Sequence, residues 1–186
     1  MQAHAPLDER TILEAFARLS DRLAAIGERG EICVVGGACM VLAFKARPTT
    51  KDVDAVTFAP DRILREAFRV GQDMNLPADW FNGAARLYAS RKLHETREFN
   101  AQFPNLHVLV PTPEYLLAMK CLASRVGGVA GATGDRADIK FLARHLGLTS
   151  ADEALEIVAR YYPLEKLPAI APALLESVFD ELKSEP

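Results

Sequence analysis

The stretch "VVGGACMVLAFKARPTTKDVDAV" (residues 34–56) opens with a paired glycine and closes with two aspartates one residue apart. Together with the residues before it, "EICVVGG" is a short apolar, β-branched run ended by glycines, the pattern of a buried strand. "ACMVLAFK" predicts a helix that starts directly after the glycine pair. "ARPTT" ends that helix, and "KDVDAVTF" alternates as a second strand. The local order is therefore strand, Gly-Gly, helix, strand.

In an extended "KDVDAV", alternation puts Asp52 and Asp54 on one face and Val53 and Ala55 on the other. The α-carbons of the two aspartates would then stand about 6.5 to 7 Å apart. Two carboxylates at that distance repel unless a cation lies between them. Mg²⁺ suits the position, since it prefers hard oxygen ligands and takes one or two protein carboxylates plus substrate phosphates. A pair of such ions clamps the attacking and leaving oxygens of an in-line phosphoryl displacement. The plainer alternative pairs one aspartate with Lys51 or Arg47 at a solvated strand end.

Gly36 and Gly37 fall between the first strand and the helix, where backbone amides are unpaired and the helix dipole favours an anion. Lacking side chains, they let a phosphate approach the backbone. A Gly-Gly turn by itself is only a tight connection. In this order, however, it would set a phosphate cradle beside a metal site.

Outward from this unit, "LDERTILEAFARLSDRLAAIG" carries Ile12, Phe16, Leu19, Leu23 and Ile26 on one helical face, with Gly27 as the stop. "DRILREAFRVGQDM" is a further helix and "LHVLV" a further strand, while 75–103 gives no clear period. "PTPEYLLAMKCLASR" reads as a helix capped by Thr112 with Pro113 in its first turn. "DRADIKFLARHLG", "SADEALEIVARYY" (with a Ser150/Glu153 capping-box spacing) and "PALLESVFDELK" complete a helical C-terminal part. The expectation is one α/β (α+β) domain over 1–186, with a small mixed-sheet core over 28–111 and a helical part over 112–186.

A chain of 186 residues can bury a sizeable core without disulfides or metal. Its formal net charge of −3 provides no bulk attraction to nucleic acid or an anionic membrane, so a polyanionic substrate must be met by a local patch or metal ions. Cys33, Cys39 and Cys121 are odd in number and lack C-x-x-C spacing, against a disulfide framework or zinc site. No secretion signal and no bilayer-spanning apolar run is visible, which gives a cytoplasmic expectation and no membrane partner.

The glycine–aspartate segment resembles the signature of the polymerase-beta-like nucleotidyltransferase superfamily: a Gly-Gly or Gly-Ser turn, about a dozen residues, then Asp-x-Asp or Asp-x-Glu. Its 14-residue gap and the threonines Thr49 and Thr50 before the aspartates are similar to the minimal bacterial branch containing abortive-infection nucleotidyltransferase toxins. The resemblance extends to "EYLLAMKCLASR" and "GDRADIKFL", with Lys120, Arg125, Asp135, Asp138 and Ile139, and to "LPADWFN". It departs from the pattern in two ways. Gly37 stands where many relatives have a phosphate-contacting serine, and the later strand "NLHVLVP" carries His107 where many have a third carboxylate. Asp135 or Asp138 would have to supply that charge.

The resemblance implies a metal-dependent enzyme that transfers a nucleoside monophosphate from an NTP to an acceptor hydroxyl. Asp52 and Asp54 would hold Mg²⁺ (or Mn²⁺), and Gly36, Gly37 and Thr50 would bind the nucleotide. Lys120 would steady the triphosphate, and Asp138 would orient Lys120 or assist the acceptor. Lys120 also has its own rationale, since a lysine among Leu116, Leu117, Met119 and Leu122 either snorkels to solvent or points into a cleft. Asp138 could instead be a surface acid paired with Arg136 or Lys140. An RNA acceptor, the 3′ end of a tRNA, would make the protein a toxin with an antitoxin partner. A small-molecule acceptor and a non-catalytic nucleotide- or partner-binding module are the competing readings.

Other features carry less. Trp80 could stack on a nucleobase or serve as a packing anchor. Arg91, Lys92 and Arg97 could touch a nucleic-acid backbone or form a solvated face. His4, His94, His107 and His145 have no ligand spacing, and "GGVAGATGD" lacks the Lys-Ser/Thr of a phosphate loop and reads as a connection that could close over a ligand.

Overall fold

The computed structural model describes residues 5–57, 60–90, 96–99, 101–124 and 132–185. His4, Arg91, Lys92, His94, Arg125 and residues 127–131 of the glycine-rich stretch lie outside the described residues. The chain forms two compact units, Met1–Leu87 with Thr96–Pro111, and Tyr88–Glu95 with Thr112–Pro186.

The first unit holds the sheet. Its strands β1 (Leu7–Asp8), β2 (Gly30–Val34), β3 (Thr49–Thr50), β4 (Val53–Thr57), β5 (Phe81–Asn82), β6 (Thr96–Glu98) and β7 (Leu106–Pro111) are joined by helices α1 (Glu9–Ala25), α2 (Gly36–Leu42) and α3 (Pro60–Asp73). Five strands form one mixed sheet in the order β5-β4-β2-β7-β6, and β1 pairs with β3 apart from it. The β2–β4 and β6–β7 pairs are antiparallel, whereas β2–β7 and β4–β5 are parallel. The result is an α+β fold containing the expected strand–Gly-Gly–helix–strand unit as β2, α2 and β4.

Helix α1 forms where its apolar period predicts as far as Leu23, whereas Ile26 is its C-cap and stands exposed. Asp8 caps it by accepting from the Thr11 amide at 2.8 Å, a contact worth about 1 kcal/mol. Its face of Ile12, Ala15, Phe16, Leu19 and Leu23 is fully buried, each large side chain contributing about 1.5–3 kcal/mol. Glu66 of α3 is 1% exposed and accepts from Arg69 at 2.9 Å, with Arg22 of α1 at 3.7 Å, so the buried charge is compensated. Trp80 is also buried. Its indole N–H donates to the Ala67 carbonyl at 2.9 Å and its ring packs on Gly71, so Trp80 is the packing anchor and offers no face to a base.

The second unit contains α4 (Pro113–Ala123), α5 (Ala132–His145), α6 (Ala151–Tyr161) and α7 (Ile170–Ser184). Thr112 caps α4 by accepting from the Tyr115 amide at 3.3 Å, with Pro113 in the first turn. At α6 the Ser150 hydroxyl accepts from the Glu153 amide at 3.3 Å, while the Glu153 carboxylate accepts from the Thr149 amide at 2.7 Å, one residue earlier than the capping-box spacing implies. Helix α4 packs against α5 and α6, with Tyr115 stacked on Tyr161 at a 5.0 Å centroid separation. Among the described residues no helix is long and apolar enough to cross a membrane.

Candidate functional site

The glycine pair lies inside the helix it was expected to precede. Val35 is the N-cap, and Gly36 and Gly37 are the first two residues of α2. Gly36 has φ +59°, a left-handed conformation that side-chain-bearing residues rarely adopt. The space above each glycine is taken by a functional group. A β-carbon on Gly36 would stand 2.7 Å from the Asp54 carboxylate oxygen Oδ2. A β-carbon on Gly37 would overlap the Arg47 guanidinium Nη2 and the Thr50 hydroxyl and lie 2.9 Å from Arg47 Cζ.

The two aspartates are held differently. Asp54 is in β4, and its carbonyl accepts from the Val35 amide at 2.9 Å, which locks the strand to the entrance of α2. Asp52 lies just before β4 and outside it, so strand alternation alone does not set its side chain. It is instead steadied by Asn82, whose amide donates to Asp52 Oδ2 at 3.3 Å. Asn82 is opposite Asp54 in the parallel β4–β5 pair, and the Val53 amide donates to the Trp80 carbonyl at 2.6 Å. Both aspartates are half-buried.

Burial raises the Asp52 carboxyl above its ordinary value, and the neighbouring charges of Asp54 and Asp79 raise it further against the opposing pull of Lys51 and Arg47. A divalent cation at Asp52 would offset the burial and like charge that raise it. Two carboxylates fit Mg²⁺ or Mn²⁺ when substrate phosphates and water complete the shell. Among the described residues no group of three or more His, Cys, Asp or Glu side chains is placed to hold a metal alone.

Thr50, expected near the nucleotide, is 6% exposed and accepts a hydrogen bond from Arg47 Nη2 at 3.1 Å. Arg47 and Asn82 stand against these residues, Arg47 on Thr50 and Asn82 on Asp52. Sequence spacing offers Arg47 only as an ion-pair partner of an aspartate and carries no signal for its position against Gly37. Asn82 would have needed β5 to be recognised within the aperiodic 75–103 region.

His107 is at the far end of the sheet from Asp54. In the parallel β2–β7 register it is opposite Glu31, whereas Asp54 follows the end of β2. Its ring nitrogens meet Glu31 at 2.9 Å and Glu98 at 3.4 Å, and the Glu31 hydrogen bond chiefly raises its pKa. The end of β7 level with Asp54 carries Val110 and Pro111, both buried and neither acidic.

In the second unit Lys120 is 8% exposed and donates to Asp135 at 2.8 Å, with Asp138 at 2.7 Å. The lysine does not snorkel. Burial would lower its pKa, but Asp138 and Asp135 outweigh that and hold it above the ordinary value. Asp138 is 3% exposed, which excludes the surface-acid alternative.

No protein-family model matches the chain, and no curated protein matches it. Its fold is similar to the crystal structure of an antigenic nucleotidyltransferase-like protein from Paracoccidioides brasiliensis, over 95% of this chain and 100% of that chain, at 17% identity and a TM-score of 0.48.

Proposed function

We propose that the protein is a metal-dependent nucleotidyltransferase that moves a nucleoside monophosphate from an NTP to an acceptor hydroxyl. The observation that carries this reading is the setting of Asp52 and Asp54 beside a glycine pair, with the Asp54 carboxylate against Gly36 and Arg47 and Thr50 against Gly37. Asp52 and Asp54 are the residues that would hold Mg²⁺ or Mn²⁺, which when bound screens the phosphates and lowers the barrier to displacement. Asn82 orients Asp52, and the Val35–Asp54 backbone bond fixes Asp54. Gly36 and Thr50 line the nucleotide side. In the second unit Lys120 and Asp138 are paired with each other; the sequence resemblance alone would give Lys120 to the triphosphate and Asp138 to its orientation.

The sequence resemblance supports the finer reading: a toxin-like enzyme of the cytoplasm, with a tRNA 3′ end as acceptor and an antitoxin as protein partner. A small-molecule acceptor would use the same chemistry. A second reading, a non-catalytic nucleotide- or partner-binding module, is favoured by the buried, non-acidic end of β7 level with Asp54 and one strand removed from it.

The test is Asp54→Asn. It is expected to abolish magnesium-dependent pyrophosphate release while the melting transition stays close to that of the parent. Release at the parent's rate would overturn the assignment. Incubation with α-labelled nucleotides and cellular RNA, protein and metabolite fractions identifies the acceptor; nucleotide binding without label in any fraction selects the binding-module reading.

A further inference from the structure

Glycine at position 37 has a specific physical cause. Its missing side chain does not open a gap for solvent, because the Arg47 guanidinium and the Thr50 hydroxyl fill that space. Any β-carbon there would drive into the guanidinium, so the arginine can keep this position only over glycine. The position is also fixed laterally, since Nη2 donates to Thr50 Oγ1 at 3.1 Å. Thr50 in turn is buried and held in β3, paired opposite Leu7 of β1.

A guanidinium is planar, permanently charged and matched to two phosphate oxygens at once. Here it is pre-oriented against the backbone of one glycine, while the carboxylate of Asp54 lies against the other. A triphosphate brought toward two carboxylates needs positive charge beyond that of the metal, and this arginine supplies it from the same unit of the fold.

We propose that Arg47 binds the triphosphate of the nucleotide directly, and that Gly37 is glycine to seat this guanidinium rather than to let phosphate touch the backbone. The proposal rests on the nucleotidyltransferase reading above and deepens it.

Calorimetry on the full chain with Mg²⁺ tests it, using inorganic tripolyphosphate, each of the four NTPs and the matching nucleosides as probes. The parent is expected to bind a triphosphate-bearing probe. Arg47→Lys keeps one charge but loses the fork, and is expected to weaken that binding at least tenfold with nucleoside affinity unchanged. Gly37→Ala keeps the arginine but displaces it, and is expected to weaken the same probes, which provides an independent answer where Arg47→Lys folds poorly. Parent-like triphosphate affinity in either folded variant overturns the role of Arg47 while the nucleotide reading stands. A parent that binds none of the probes overturns the nucleotide reading and this inference with it.

Discussion

The Asp54 carboxylate lies against Gly36 so closely that a β-carbon there would come within 2.7 Å of Oδ2. The helix entrance and the aspartate strand therefore fit together only through a residue without a side chain, and the backbone at that residue is left-handed as well. The site's geometry and the stability of the first unit are coupled at this point.

Gly36→Ala is accordingly expected to destabilise the protein by about 1–2 kcal/mol from backbone strain alone. Crowding of Asp54 adds to this, so Gly36→Ala combined with Asp54→Ala should recover part of the loss and not all of it. Urea denaturation of the two single variants and the double variant measures the difference. Full recovery in the double variant would show that the backbone conformation carries no cost.

Asp52 predicts a pH dependence whose sign follows from its raised pKa. The folded protein holds that proton to higher pH than the unfolded chain, so stability falls as pH rises from the ordinary value of 3.8 through the raised one. Above that window the penalty is complete. Asp52→Asn retains an oxygen to accept from Asn82 and removes the charge, so it is expected to melt higher than the parent at pH 7. Near pH 3 the two should coincide. Adding Mg²⁺ should raise the melting temperature of the parent more than that of Asp52→Asn. Parallel melting curves across pH would contradict this account of the pair.

Lys120 is expected to matter for folding before it matters for binding. Lys120→Met leaves the buried Asp138 and its neighbour Asp135 without their shared cation, at a cost of about 3–5 kcal/mol. Lys120→Met with Asp138→Asn should regain part of that, and a double-mutant cycle by chemical denaturation would reveal the coupling. Because pairing holds the lysine above its ordinary value of 10.5, its contribution is complete below that pH and lost as pH rises through the raised one. Additive single-variant costs would separate Lys120 from Asp138. Nucleotide-binding tests at this position are cleaner with Lys120→Arg, which retains the charge.

Much of the fold is legible because the signals are local. β2 and β4 announce themselves by β-branched runs, α4 by the Thr112–Pro113 start, and α6 by Ser150. The elements without a local signal depend on pairing across the chain. Thr49–Thr50, read as part of a break, pairs with Leu7–Asp8 more than forty positions away, and two-residue strands have no period to detect. Phe81–Asn82 is the same case, and with it went the partner of Asp52. Spacing points to Gly36, Gly37, Asp52 and Asp54 as a group, but Arg47 reaches Gly37 by packing across a proline-containing connection, and pattern does not encode that approach.

The five-stranded sheet ends in strands of two and three residues, β5 on one side and β6 on the other. Each is too short to serve as a template for another chain, and exposed Arg97 and Glu98 place opposite charges along β6. The brevity that hid these strands from the eye also blunts both rims against edge-to-edge polymerisation. A variant that lengthened β5 past Asn82 would alter the support of Asp52 and, in the same change, expose a sticky margin.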